Sequence, residues 1–218
     1  MSLTALPAGS DNPFVLLDDA SPDGSGRAML FRDPVRVVRA DSLADVLPAL
    51  AQVEAATSSG LHAAGYLSYA AGHAFEPRLA GYAPREGDDG PLLWFGLFGA
   101  PVDIPSDALP GLLPAPEGAS IGPVSPLISR AGYDRAIGRV LDYIRAGDIY
   151  QANLTFLAQV PVEGDPLAAY AAIRPNAAAG FGAVIRHDGR HILSFSPESF
   201  FSLEDGRIET RPMKGTAR

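Results

Sequence analysis

Cysteine is missing from this 218-residue chain, and lysine and tryptophan occur once each. Without a thiol there is no disulfide framework, no thiolate metal centre and no cysteine nucleophile. That fits a reducing compartment, and the cytoplasm is the expected location. The opening "MSLTALPAGSDNPF" has neither a basic start nor an apolar run behind it, and is not expected to act as a secretory signal. The most apolar stretch, "PLLWFGLFGAPV", is interrupted by Gly and Pro and is too short to span a bilayer. Positive charge is scarce as well. The net charge of −8 argues against nucleic acid or an anionic membrane as partner. The shortage is uneven. Residues 1–129 carry 6 Arg against 15 acidic residues (−9), whereas residues 130–218 carry 11 cations against 10 (+1). A small anionic ligand would therefore be hosted by the second half.

What is present suffices for a globular core: 47% of residues are hydrophobic, in a length that suits one large domain or two small ones. "FVLLD" (14–18), "RAMLFR" (27–32) and "VRVVRA" (35–40) are short apolar runs separated by turn residues, and they predict strands. Leu43, Val46, Leu47, Leu50 and Val53 recur at helical spacing, with Asp41 or Ser42 as N-cap and Gly60 as stop. Pro48 should kink or restart that helix. "LHAAGYLSYA" and "PLLWFGLFGA" predict two further strands. From Pro101 to Pro126 the chain is dense in proline and shows no periodicity, as expected of a connector.

Ser129 is then placed to cap a helix ending at Gly147, with Tyr133, Ile137, Val140, Leu141 and Ile144 on one face. "DIYQANLTFLAQV" (148–160) alternates as a strand would, Tyr150, Ala152, Leu154 and Phe156 facing one way and Gln151, Asn153 and Thr155 the other. The polar face either meets solvent, the plainer reading, or lines a cavity with hydrogen-bonding groups. A helix at "DPLAAYAAIR" and two hairpins turned on Asp-Gly, "RHDGRH" and "LEDGRI", complete the prediction.

Most of the candidate chemistry has a bland explanation. His187 and His191 have the spacing of a helical zinc pair, but Asp188-Gly189 between them is a hairpin turn, which predicts two surface side chains. His62 and His73 have no acidic or histidine partner at useful spacing. "DGSG" (23–26) lacks the strand–turn–helix setting of a phosphate loop.

Lys214 is different. An arginine cannot deprotonate at usable pH, whereas a lysine amine can, and only the neutral amine is a nucleophile. A single lysine can also survive by chance in an arginine-rich chain, but "PMKGT" supplies a glycine, Gly215, for close backbone approach and a hydroxyl, Thr216. Glu198 in "FSPESFF" is the second candidate. A two-residue loop at Asp205-Gly206 makes paired positions sum to 411, bringing Glu198 and Lys214 to one end of the ribbon. A strict ladder would point them to opposite faces. A break near Pro212, or a three-residue loop with Gly206 left-handed, would bring them together, and such a break is expected.

Three motifs in order, "GDIYQANLTF", "SFSPESFF" and "IETRPMKGTAR", resemble the chorismate-utilising enzymes, and within them the aminodeoxychorismate synthase component I subgroup. "FVLLDDA" and "GYLSYAAGHAFEPRL" are similar to the amino-terminal region of that subgroup, so the resemblance runs along most of the chain. It implies an α+β fold, a two-lobed β-sandwich with outer helices, seen here without its carboxy-terminal part. Residues 1–104 would form the amino-terminal lobe, 105–126 a proline-rich connector, and 127–218 the first part of the chorismate-binding catalytic domain. It implies that Lys214 attacks C2 of chorismate and expels the C4 hydroxyl, with Glu198 as general acid/base and Gly215 and Thr216 at the substrate. Ammonia would come from a glutamine amidotransferase subunit, and Mg²⁺ would bridge the substrate carboxylate through ligands beyond Arg218.

Where the related anthranilate, isochorismate and salicylate synthases typically have alanine, this sequence has Lys214, which sets back an anthranilate synthase as the alternative. "RPNAAAGFGA" lacks the family's usual Asn-Pro pair. "LLDDA" lacks the Leu-Glu-Ser stretch associated with tryptophan feedback, so that regulation is not expected. Members of the family continue well past the position of Arg218. The chain is therefore expected to be a fragment without turnover of its own, and a non-catalytic piece that binds the amidotransferase is the alternative from another class.

Overall fold

The runs predicted as strands in the first half each form one. The computed structural model describes residues 6, 12–21, 26–82, 90–105 and 107–212. The elements run β1 (Phe14–Asp18), β2 (Arg27–Arg32), β3 (Arg36–Ala40), α1 (Leu43–Ser58), β4 (His62–Leu67), β5 (Leu93–Phe98) and β6 (Val102–Pro105). Then follow β7 (Ala119–Ile121), β8 (Ser125–Pro126), α2 (Arg130–Ala146), β9 (Ala158–Gln159), β10 (Val162–Gly164), α3 (Pro166–Ala177), β11 (Phe181–His187), β12 (Arg190–Ser196), β13 (Ser202–Glu204) and β14 (Arg207–Glu209). Among the described residues no helix is long and apolar enough to cross a membrane. The chain divides into two compact units, residues 1–114 with 170–218, and residues 115–169.

In the first unit a five-stranded antiparallel sheet has the order β12-β11-β1-β2-β6, and a three-stranded one the order β3-β5-β4. β5 explains how they are held. Successive side chains of a strand point to opposite faces, and in "LWFGLF" both faces are apolar. Leu93 and Leu97 pack with Val38 and Ala40 against Val46, Ala49 and Ala56 of α1. Trp94 and Phe98 pack the other way, with Val15, Phe31 and Ile185 of the larger sheet. Gly96 carries no side chain because a Cβ there would stand 2.3 Å from the Phe98 ring.

α1 turns its predicted face inward except at Leu47. Val46 is buried with Ala49 and Ala56, and Leu50 and Val53 pack partly buried against the same cluster, while Leu47 is exposed. The helix also runs on through Pro48 without a restart. The proline forfeits one backbone hydrogen bond, and the packing of Val46 and Ala49 on either side of it holds the helix across the gap.

The proline-rich stretch is not bare. β6 within it extends the five-stranded sheet beside β2, and β7 pairs with β10. Both are too short for periodicity to reveal.

In the second unit α2 begins and ends where predicted. The Ser129 hydroxyl accepts the Gly132 N–H at 3.1 Å, and Gly147 closes the helix in the left-handed region at φ 82°. Its predicted face is only half-covered: Tyr133, Ile137 and Val140 are partly buried, and none of its residues is fully so. Phe156 meets Tyr133 edge-on at 5.9 Å. The strand predicted over 148–160 forms only at Ala158–Gln159, which pair with Ser125–Pro126. Alternation supplies a face, but a ladder also needs a partner strand. Gln151, Asn153 and Thr155 are exposed, in keeping with the solvent reading of the polar face. α3 starts as its sequence asks, with the Asp165 carboxylate accepting the Leu167 N–H at 2.9 Å and Pro166 in the first helical position.

Candidate active site

Both Asp-Gly hairpins form. In the second, Glu204 pairs with Arg207, Leu203 with Ile208 and Ser202 with Glu209, with Asp205 at φ 49° and Gly206 at φ 75°. The loop thus has two residues, and the register sums to 411 as predicted. The ladder then stops: Pro197–Phe201 on one side and Thr210–Pro212 on the other are outside any strand. Strict alternation therefore does not carry through to Glu198, which removes the objection that a regular ribbon would have raised. The three-residue loop, the other route considered, is not used. Lys214, Gly215 and Thr216 lie outside the described residues.

Where the ribbon opens, Ser196, Glu198, Ser199, Phe200, Thr210 and Pro212 line an open cavity of about 430 Å³. Glu198 is half-buried there. The Ser196 hydroxyl donates to the Glu198 carbonyl at 2.8 Å and accepts its N–H at 3.2 Å, so the turn through Pro197 is closed by one side chain. Phe200 and Phe201 stack edge-to-face at 5.3 Å. The site thus offers one carboxyl, several hydroxyls and an aromatic wall, a set that can orient a small polar ring and exchange a proton with it. Among the described residues no group of three or more His, Asp or Glu side chains is placed to hold a metal ion.

Behind this turn stands an arrangement that sequence reasoning missed. The Asp18 side chain at the end of β1 is fully buried, and Arg174 of α3 grips it with Nε to Oδ2 at 2.7 Å and Nη2 to Oδ1 at 2.9 Å. The Tyr170 hydroxyl donates to the same Oδ2 at 2.8 Å, and the Tyr170 ring stacks on Phe195 at 4.9 Å. One signal is visible in the sequence: Tyr170 and Arg174 are an i, i+4 pair of polar-tipped side chains on a mostly apolar helix. Its carboxylate partner lies 156 residues away, beyond the reach of spacing.

Burial first, and the Asp18 carboxylate second, push the Tyr170 phenol well above its ordinary value. A raised folded value means that the group's contribution is intact below the unfolded value and declines above it. Stability is therefore expected to fall with rising pH from about pH 10, by up to about 1.4 kcal/mol per pH unit for one such group. Urea midpoints measured from pH 8 upward check this, and Tyr170→Phe should flatten the slope.

His187 corrects a second expectation. It is 1% exposed, not on the surface. It stacks on Trp94 at 4.8 Å, its Nε2 lies 3.1 Å from the Tyr66 hydroxyl, and its Nδ1 lies 3.3 Å from Asp188. Arg39 joins Asp188 at 2.6 Å and grips Asp41, which lowers the Asp41 carboxyl below its usual value. Burial raises the Tyr66 phenol. The hairpin turn itself is exposed, but the strand leading into it ends inside the first unit, against Tyr66 of β4 and Trp94 of β5. The cluster joins the two sheets.

The model of the family described as chorismate binding enzyme matches residues 12–218. Aminodeoxychorismate synthase component 1 of Salmonella typhimurium is 42% identical over 90 residues, 41% of this chain and 20% of the relative. Aminodeoxychorismate synthase of Streptomyces griseus is 33% identical over 124 residues, 56% of this chain and 17% of the relative. Anthranilate synthase component 1 of Thermus thermophilus is 39% identical over 94 residues, 40% of this chain and 19% of the relative. The chain spans about a fifth of the length of these relatives.

Proposed function

The chain belongs to the chorismate binding enzymes, and on that premise we propose that its full-length gene product acts as component I of an aminodeoxychorismate synthase. It converts chorismate and ammonia to 4-amino-4-deoxychorismate, toward 4-aminobenzoate and folate, in the cytoplasm. Ammonia is delivered by a glutamine amidotransferase subunit. The observation that carries this reading is the cavity where Glu198 stands with Thr210 and Pro212, two residues ahead of the chain's only lysine.

The roles follow from the chemistry of the two groups. The Lys214 amine, having shed its proton, bonds to C2 as the C4–O bond breaks. Glu198 gives its proton to the departing hydroxyl, which leaves as water. Ammonia then bonds to C4 as the lysine nitrogen leaves C2 as the free amine, and the new C4 ammonium returns a proton to the Glu198 carboxylate, so the enzyme is restored. Gly215 and Thr216 would contact the substrate. The resemblance also assigns the reaction a Mg²⁺ ion, which would supply charge stabilisation at the substrate carboxylate. The two-lobed β-sandwich belongs to the same proposal, and it is supported by the core that the five- and three-stranded sheets share.

Anthranilate formation is the second reading, favoured by the similarity to the Thermus thermophilus enzyme and disfavoured by Lys214. Incubation with chorismate and an ammonium salt decides between them: 4-amino-4-deoxychorismate is expected, and anthranilate as the product would overturn the proposal. Glu198→Gln keeps the shape of the side chain but cannot give up an acidic proton. It should lower kcat by about 10² to 10⁴, the usual contribution of general acid catalysis. A turnover within threefold of the parent would remove Glu198 from this role.

A further inference from the structure

We propose that Ser196 is a positioning residue for the Glu198 carboxyl, and that the stack of Tyr170 on Phe195 holds Ser196 in place. The inference deepens the reading of Glu198 as the general acid and rests on it. A proton donor serves only if its carboxyl is already aimed at the leaving oxygen, and a displacement of about 1 Å can cost about a hundredfold in rate. Glu198 lies outside any ladder, so the sheets' own hydrogen bonds do not aim it.

Ser196 does. Its one hydroxyl donates to the Glu198 carbonyl and accepts the Glu198 N–H, using both halves of its hydrogen-bonding capacity on a single residue. Pro197 between them has a fixed φ and holds Ser196 to extended backbone. The backbone from which the Glu198 side chain departs is thereby fixed. This device works only if the end of β12 is itself fixed.

Phe195, the residue before, points to the opposite face of the strand, where its ring lies at 18° to that of Tyr170. Tyr170 is held in turn by Asp18 through its hydroxyl. The residue opposite Phe195 on β11 is Gly182, and a Cβ there would stand 2.7 Å from the Tyr170 hydroxyl. Strand, glycine, stacked pair and hydroxyl therefore form one continuous support running from Asp18 to Glu198. A turn that merely reversed the chain would need none of it.

The test is steady-state kinetics of the full-length gene product with chorismate and ammonia. Ser196→Ala is expected to lower kcat about 10- to 100-fold while KM for chorismate moves less than about threefold. Ser196→Thr, which restores the hydroxyl, should recover most of the loss. Phe195→Leu, which keeps an apolar side chain but not the stack, should lower kcat in the same direction. Ser196→Ala with the parent's kcat would overturn the inference, and so would Ser196→Thr as impaired as the alanine variant.

Glu198→Gln assayed alongside separates the two claims. If Glu198→Gln retains activity, the acid assignment has failed. If it is inactive while Ser196→Ala is normal, only the positioning role has failed. Hydrogen exchange of the Glu198 amide in the unsubstituted protein needs no variant to fold. Protection is expected, and exchange at the rate of an open loop would refute the closed turn.

Discussion

Lys214→Arg in the full-length gene product is expected to abolish formation of 4-amino-4-deoxychorismate, lowering kcat by about 10⁴ or more, the range that loss of a covalent nucleophile reaches. The replacement keeps the positive charge and nearly the same length, so binding that depends on charge alone would survive it. What it removes is the ability to become a neutral amine. The arginine variant is therefore a sharper test than alanine, because it separates a charge that binds from a nitrogen that bonds to carbon. KM for chorismate should change far less than kcat. A variant that turns over at the parent rate would show that the lysine is an accident of an arginine-rich composition. Mass spectrometry of the parent enzyme quenched during turnover gives an independent check, since a peptide containing Lys214 should carry the added mass of the covalently bound ring.

The largest loss of stability is expected from Asp18→Ala. The Asp18 side chain is wholly buried and Arg174 is 12% exposed, so removing the carboxylate takes the charged partner from a largely buried guanidinium and the acceptor from a buried phenol. Breaking one partner out of a buried pair costs about 3–5 kcal/mol, a large part of the stability of an ordinary domain. The informative comparison is the joint replacement Asp18→Leu, Tyr170→Phe and Arg174→Met. Taking all three polar groups away together strands none of them, and such exchanges are often neutral or stabilising. Urea midpoints should therefore fall sharply for Asp18→Ala and recover substantially for the triple variant. Equal losses in both would mean that the clamp contributes through packing rather than charge. Even with its stability recovered, the triple variant should retain reduced turnover, because Phe195 would be held by a ring that no longer hangs from Asp18.

Much of this arrangement can be read from the chain, and the division follows range. Strands β1 to β5 and both Asp-Gly hairpins depend on side-chain period and turn chemistry within a few residues, and they stand where those signals place them. The caps of α2 at Ser129 and Gly147 are equally local. The errors share another origin. Residues 148–160 alternate correctly, yet a strand needs a neighbour, and only Ala158–Gln159 find one. His187 was placed at the surface by the turn after it, but β11 ends beneath Trp94 and Tyr66, which are contributed by strands far away in sequence. Asp18 meets Tyr170 across 152 residues. No window of spacing spans that distance, so the support behind Glu198 could be found only in three dimensions. Glu198 itself was legible because the short motif around it is distinctive, whereas Ser196, two residues before it, became visible as a partner only through its hydroxyl geometry.

The protein's single tryptophan lies flat on His187 at the seam of two sheets and is 1% exposed. Its ultraviolet emission is consequently a signal from one address. Blue-shifted light reports that the seam is shut, and any parting of the layers moves the spectrum to the red before a ligand or a label is added.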